Sequence, residues 1–176
     1  PHSMGSAEQP ETFFQHREAC NSVYEETTDI IVGCMEQVNE KLGTDYRPFN
    51  YYGAPDATEV IIAMGSVCDA AEELVDYLSI KGKKVGVITV RLYRPFSAKH
   101  LISVMPDTVK RIAVLDRTKE PGSMGEPLYL DVVAALRGSR FENVFVAGGR
   151  YGLGSKDTQP EDILAVYENL WSEEPK

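Results

Sequence analysis

Short apolar runs, separated by amphipathic stretches, organise most of this chain. Four of the runs are continuous rather than alternating, which is typical of parallel strands buried on both faces. The stretches between them repeat apolar residues at helical spacing, and each run with its following stretch has about the length of a βα unit. The predicted strands are residues 60–64, 85–90, 112–115 and 144–147.

Helix boundary signals fall between the predicted strands. Side chains that cap helix starts and glycines that stop helices occur where the apolar period changes. The expected starts are Ser66, Ser97, Pro127 and Thr158, the last in a capping box with Glu161, and the expected stops include Gly82 and Gly138. Alternating strands and helices predict an α/β fold, with a mostly parallel or mixed sheet of about five strands sandwiched by helices.

The first part of the chain has a different pattern. Ser22–Glu25 has the form of a capping box, and the apolar positions after it recur at helical spacing until Gly43. This pattern predicts one long helix, with Phe13 and Phe14 in a separate, shorter helix before it. Residues 47–55 combine proline, glycine and aromatic residues without a period, so they predict a loop packed by its rings.

These patterns divide the chain into three segments. Residues 1–6 have the character of a cloning remnant, residues 7–50 form an N-terminal helical extension, and residues 51–176 form the α/β domain. A vector-derived start leads us to expect a piece excised from a longer protein.

Composition excludes several classes of partner. The chain is 43% hydrophobic with a net charge of −9, which fits a globular domain that repels nucleic-acid backbones and anionic membranes. The three cysteines are odd in number and lack CxxC spacing, as in reduced cytoplasmic proteins. We therefore expect a cytoplasmic location, without nucleic-acid or membrane partners.

The stretch AGGRYGLGSKD, residues 147–157, nearly completes two phosphate-binding motifs. Gly149 and Gly154 have the spacing of a phosphate loop, but Ser155 and Lys156 stand in the reverse of the order that the loop requires. The dinucleotide fingerprint fails as well, because Asp157 occupies the third glycine position. The stretch therefore predicts a tight turn whose glycines permit positive φ, rather than a nucleotide loop.

No catalytic or metal-binding set emerges from the residues themselves. Asp116 directly follows a predicted strand, but the acidic pair that a phospho-acceptor domain carries after its first strand is missing. His16 and His100 have no partner at metal-ligand spacing, and Ser66 does not stand in a GxSxG elbow. We predict no catalytic, cofactor-binding or metal-binding residue in this chain.

Several collinear stretches together resemble one known family. They are YYGAPDA (51–57), VIIAMGS (60–66), VRLYRPFS (90–97), AVLDRTKEPG (113–122), GEPLYLDV (125–132) and GGRYGLGSKD (148–157). They resemble core domain II of the pyruvate:ferredoxin (flavodoxin) oxidoreductases, a domain similar to the C-terminal domain of transketolases. The resemblance runs from about Phe13 to Trp171.

The resemblance implies a parent enzyme that is large, dimeric and part of anaerobic metabolism. Such enzymes decarboxylate pyruvate on thiamine diphosphate with Mg, pass electrons through iron–sulfur (4Fe–4S) clusters to ferredoxin or flavodoxin, and form acetyl-CoA from coenzyme A. The family holds thiamine and the clusters in other domains, so the resemblance implies a structural and assembly role and an inactive fragment. Two alternatives stay open: the equivalent domain of another 2-oxoacid oxidoreductase, and a module that binds coenzyme A or a nucleotide through residues 148–156.

A rim of charged and aromatic side chains is predicted at the carboxyl ends of the strands, where open α/β sheets bind their ligands. Arginine and tyrosine dominate well-packed contacts, so in an intact enzyme such a rim would anchor other domains or a ligand. Arg150 and Tyr151 are expected to point outward. The candidate rim residues are Arg91, Tyr93, Arg94, Lys119, Glu120, Arg150 and Tyr151.

Overall fold

The structure is a computed structural model that describes residues 7–176, in two compact units that divide between Asp45 and Tyr46. The first unit is built on one helix, α1 (Pro10–Leu42), which ends where Gly43 adopts a φ of 68° and its N–H binds the Asn39 carbonyl. The prediction of a separate short helix before residue 22 is wrong, because α1 is continuous through this region. No proline or glycine interrupts residues 11–32, so Ser22 lies inside α1 and its hydroxyl donates to the Ala19 carbonyl.

The second unit is a five-stranded mixed sheet with helices on both faces, which confirms the predicted α/β architecture. The strand order is β1-β3-β2-β4-β5, with β1 antiparallel to β3 and every other pair parallel. Its strands are β1 (Phe49–Gly53), β2 (Glu59–Ala63), β3 (Val85–Val90), β4 (Arg111–Asp116) and β5 (Phe145–Arg150). Its helices are α2 (Val67–Ile80), α3 (Ala98–Val104), α4 (Pro127–Leu136) and α5 (Pro160–Trp171).

Strand β1 corrects the loop predicted at residues 47–55. Its residues pair with β3 from Phe49 opposite Val90 to Gly53 opposite Gly86. An edge strand needs a partner on one side only and tolerates flanking prolines, so its sequence lacks the continuous apolar run of a central strand. The predicted division between residues 50 and 51 falls inside this strand.

Two apolar layers hold the helices against the sheet. Alternate residues of the central strands face α3 and α4 on one side and α2 and α5 on the other, as the β-pleat requires. On the first side Ile62, Ile88 and Val114 pack with Leu101 and Leu128. On the second side the core contains Ile61, Val87, Ala113, Leu74 and Tyr167.

The ends of the sheet differ from its centre. Strand β5 is an edge strand, and Phe145 at its start is 37% exposed, so the expectation that both of its faces are buried is wrong.

Helix α5 begins one residue later than predicted, because Gln159 rather than Thr158 is the N-cap. The Asp162 carboxylate accepts a hydrogen bond from the Gln159 N–H at 3.0 Å. Within residues 7–176, no helix has the length and apolar character needed to span a membrane.

Candidate functional site

All seven candidate rim residues lie at the carboxyl edge of the sheet. Arg91, Tyr93 and Arg94 follow β3, Lys119 and Glu120 follow β4, and Arg150 and Tyr151 end and follow β5. Strand β2 lies between β3 and β4, so the connections that leave β2 and β4 run to opposite faces of the sheet. Crevices at such switch points are where open α/β sheets bind ligands.

The carboxylate of Glu126 is the centre of one part of the rim. Its side chain is only 4% exposed, and its Oε1 accepts a hydrogen bond from Arg150 Nε at 2.6 Å. Its Oε2 accepts one from the Glu120 backbone N–H at 2.8 Å, and Lys119 Nζ lies 3.7 Å from Oε1. The hydrogen bond from Arg150 holds the pKa of Glu126 below its ordinary value. These contacts fasten the loop after β4 to the end of β5.

Asp116 has a related role on β4. Its buried carboxylate accepts hydrogen bonds from the Leu128 and Tyr129 N–H groups at 2.9 and 3.1 Å. Burial raises the pKa of Asp116, while the two N–H donors act in the opposite direction. The carboxylate therefore satisfies the open N–H groups of the first turn of α4, as a capping group does.

A second part of the rim is built around Arg94. Its Nη2 donates to Asp131 Oδ2 at 2.7 Å and to the Tyr93 hydroxyl at 3.1 Å. The guanidinium lies 3.9 Å from the centre of the Tyr93 ring, within the range of a cation–π contact. Since Asp131 lies on α4, Arg94 joins the loop after β3 to that helix. The side chain is nevertheless 55% exposed.

The side chains of Arg91 and Tyr151 each form a hydrogen bond to a neighbouring strand or loop of the same unit. Arg91 Nε donates to Asn50 Oδ1 at 2.9 Å, which joins the end of β3 to the edge strand β1. The Tyr151 hydroxyl donates to the Met64 carbonyl at 2.8 Å, and its backbone N–H binds the Asp116 carbonyl. Tyr151 is half-buried against the α2–α5 layer, so the expectation that it points outward is wrong.

The glycine-rich stretch divides between strand and turn. Gly148 and Gly149 belong to β5, where a Cβ on Gly149 would lie 2.7 Å from Leu115 Cδ2. Gly152 and Gly154 have φ values of 60° and 62°, which confirms the predicted use of glycine in a tight turn. Ser155 shares this left-handed conformation with a φ of 62°. A short 3-10 turn thus replaces the helix start that a phosphate loop requires.

Residues 151–158 separate two open cavities at this edge. One cavity has a volume of about 350 Å³ and is lined by apolar side chains that include Leu115, Ile163 and Val166. The other has a volume of about 260 Å³ and is lined by Ser66, Arg117 and Lys156 among others. Within the part of the chain that the structure describes, no cluster of three or more His, Cys, Asp or Glu side chains could hold a metal ion.

Sequence reasoning located the rim but missed Glu126, Asp131 and the structural role of Asp116. The available signal for Glu126 was its place directly before Pro127, the first residue of α4, where acidic side chains are favourable. Asp131 gave no signal beyond an acidic residue on a helix. Its partner Arg94 lies on another loop, and only the fold brings the two together.

Comparison with known proteins identifies close relatives of this chain. It is 54% identical over its full length to the pyruvate:ferredoxin oxidoreductase of Moorella thermoacetica, and 51% identical to the pyruvate-flavodoxin oxidoreductase of Enterobacter agglomerans. In each case the chain spans only 15% of the relative.

A solved structure has the same fold at low sequence identity. It is the 2-oxoglutarate:ferredoxin oxidoreductase from Magnetococcus marinus with 2-oxoglutarate, coenzyme A and succinyl-CoA bound. The alignment covers 74% of this chain and 20% of that chain, with a TM-score of 0.50 and 19% identity.

The family model of pyruvate:ferredoxin oxidoreductase core domain II matches residues 57–163, from the turn before β2 into the first turn of α5. That range contains four of the five strands and all seven candidate rim residues. The chain therefore belongs to the pyruvate:ferredoxin oxidoreductase core domain II family.

Proposed function

We propose that this chain is a structural and assembly domain of a pyruvate:ferredoxin (flavodoxin) oxidoreductase. The parent enzyme oxidatively decarboxylates pyruvate to acetyl-CoA and reduces ferredoxin or flavodoxin. Identity of 54% and 51% to two relatives named for pyruvate supports pyruvate as the substrate. The 2-oxoglutarate enzyme, at 19% identity, supports only the shared fold.

The pairing of charged groups at the carboxyl edge is the observation that carries this proposal. Glu126 is bound by Arg150, and its lowered pKa keeps it ionised, which suits a fixed counter-ion rather than a general acid near neutral pH. The Asp116 carboxylate binds two backbone N–H groups of α4. These carboxylates hold loops in place, so the edge presents a shaped and rigid surface to its neighbours.

Arg94 and Tyr93 are the side chains of this edge best placed to contact another domain. Asp131 and the Tyr93 hydroxyl fix the Arg94 guanidinium, while 55% of the side chain stays exposed. A side chain already fixed in its bound geometry loses little entropy on association. We propose that other domains of the same polypeptide pack here, within a homodimeric cytoplasmic enzyme.

The parent's thiamine diphosphate, Mg, iron–sulfur clusters and coenzyme A are proposed to be held outside this chain. The described cysteines do not fit a cluster. Cys68 is 1% exposed among aliphatic side chains, and burial raises the pKa of its thiol, which disfavours the thiolate that iron requires. Cys20 and Cys34 lie on α1, in the other compact unit. We expect the isolated chain to have no oxidoreductase activity.

The experiment compares Arg94→Ala with Arg140→Ala in the full-length enzyme that contains this chain. Arg140 is a close chemical match: its Nε lies 2.8 Å from Asp107 Oδ1, its guanidinium lies 4.7 Å from the Phe141 ring centre, and its side chain is 51% exposed. It lies at the opposite, amino edge of the sheet, since it precedes β5 and pairs with the residues before β4.

In the isolated chain, both substitutions are expected to change the free energy of unfolding by less than about 1 kcal/mol, as for other surface ion pairs. In the full-length enzyme, Arg94→Ala is expected to weaken assembly and lower pyruvate oxidation at least several-fold, and Arg140→Ala to change neither. Equal assembly and activity in the two variants would contradict an interdomain role of Arg94.

A further inference from the structure

The crevice at the switch point contains two cations that the assembly role does not use. The 260 Å³ cavity lies where segments leaving β2, β4 and β5 meet, and it is lined by Ser66, Arg117, Gly152 and Lys156 among others. Its position is the one at which open α/β sheets hold ligands. It lies wholly within the second compact unit.

Arg117 and Lys156 differ from three other cations of this edge, Arg94, Lys119 and Arg150. Arg94, Lys119 and Arg150 each lie within 4.0 Å of a carboxylate oxygen. In residues 7–176, neither Arg117 nor Lys156 has a carboxylate at that distance. In a chain with a net charge of −9, two cations without such a partner on one cavity create a local positive potential.

The turn at Gly152 positions Arg117. Its Nε donates to the Gly152 carbonyl at 3.3 Å, and a Cβ on Gly152 would lie 3.1 Å from that nitrogen. The left-handed glycine therefore makes room for the arginine stem and sets its direction. Helix α2 brings its N-terminus to the cavity, because Val67 at its first turn lines the cavity and Ser66 makes no side-chain cap, while Asp69 in the same turn offsets the positive end of the helix.

Asp157 opposes this attraction. It lines the same cavity and follows Lys156 directly in the chain. Its charge reduces the positive potential, so removing that charge should strengthen the binding of an anion. The adjoining 350 Å³ cavity shares five residues with the first one, Tyr151, Gly152, Lys156, Asp157 and Thr158. Arg150 and Asp162 also line it, and its apolar part, formed by Leu115, Leu153, Ile163 and Val166, leaves space for an organic group attached to an anion.

We propose that the cavity between Arg117 and Lys156 binds a phosphate-class oxyanion, either free phosphate or the phosphate group of a larger ester. Side chains rather than a backbone loop form this site. The reversed order of Ser155 and Lys156, which excludes a phosphate loop, is therefore compatible with it. The site goes beyond the proposed assembly role and stands or falls independently of it.

The test titrates the 176-residue chain with inorganic phosphate and, in a parallel arm, with ADP. Calorimetry gives the Kd, and amide NMR shifts locate the site. We expect saturable binding with shifts at Ser66, Arg117 and Gly152, and a Kd that rises with ionic strength. Comparable affinity for the two probes indicates free phosphate, whereas tighter ADP binding with added shifts at Leu153 and Val166 indicates an ester; each supports the site.

Matched variants make the test specific. Lys156→Gln and Arg117→Gln are each expected to weaken binding about tenfold or more, as for loss of a charge-assisted hydrogen bond. Asp157→Asn is expected to tighten it. Lys99→Gln on α3 removes the same charge away from the cavity and should leave the Kd unchanged. The proposal would be overturned if neither phosphate nor ADP bound saturably, or if Lys99→Gln and Lys156→Gln weakened the binding of the probe equally. Lys156 is exposed, so its variant also decides the matter if Arg117→Gln fails to fold.

Discussion

Gly86→Ala tests the pairing of β1 with β3, the part of the sheet that the sequence pattern missed. The Tyr51 ring covers Gly86: a Cβ at position 86 would lie 2.3 Å from the Tyr51 hydroxyl oxygen and 2.6 Å from its Cε2 and Cζ. Carbon atoms in favourable contact lie about 3.5–4.0 Å apart. The ring cannot swing away freely, because its hydroxyl donates to the Ala54 carbonyl at 2.5 Å.

A paired strand and a loose loop at residues 49–53 predict opposite changes in the free energy of unfolding for Gly86→Ala. With β1 paired as observed, the added methyl overpacks the interface and lowers the free energy of unfolding by about 1–3 kcal/mol. With a loose loop in place of β1, alanine would instead stabilise the interior of β3 by about 0.5–1 kcal/mol relative to glycine. The sign alone therefore distinguishes them.

Urea unfolding of four proteins measures the effect: wild type, Gly86→Ala, Tyr51→Ala and the double variant. Removing the Tyr51 ring relieves the clash, so Gly86→Ala should cost less in the Tyr51→Ala background. We expect a coupling energy of about 0.5–3 kcal/mol between the two positions. A stabilising Gly86→Ala, or an equal cost in both backgrounds, would refute the packing of Tyr51 over Gly86.

Two further substitutions test the carboxyl edge and the core. Glu126→Gln should lower Tm at neutral pH and flatten its fall in acid: the folded pKa is depressed, so the stabilisation is complete above the unfolded value of 4.5 and is lost as pH falls through the lower folded value. Calorimetry across pH checks this, with Glu142→Gln as a control that should leave the dependence of Tm on pH unchanged. The same fall of Tm in acid for Glu126→Gln as for the wild type would contradict the prediction. Tyr167→Phe should lower the free energy of unfolding by about 1 kcal/mol in urea, because the buried hydroxyl donates to the Gly86 carbonyl at 2.9 Å; an unchanged midpoint would count against that bond.

The central strands and their helices could be predicted because burial on two faces leaves a continuous apolar run. Val85–Val90 is buried throughout, and its run stands out in the sequence. Strand β1 has no such run, since one of its edges has no neighbouring strand in this sheet. Helix α1 was divided in two because Ser22–Glu25 has the form of a cap, a local signal that an uninterrupted helix overrides.

The rim was predictable in position but not in its contacts. Strand ends mark the carboxyl edge, and this rule placed Arg94 and Arg150 correctly. Their partners come from elsewhere in the chain: the parallel pairing of β4 with β5 sets Arg150 opposite Asp116, at the level where the loop to Glu126 begins. Tyr151 binds the Met64 carbonyl, 87 residues away. Contacts over such separations depend on strand order, which periodicity does not encode.

Contact between the carboxyl edge and the rest of the enzyme is tested most directly by hydroxyl-radical footprinting of Tyr93. The labelling rate is measured in the 176-residue chain and in the full-length enzyme, with Phe145 at the amino edge as the reference. An assembly role predicts that Tyr93 labelling falls several-fold in the full-length enzyme relative to Phe145. Equal relative rates in the two proteins would contradict it.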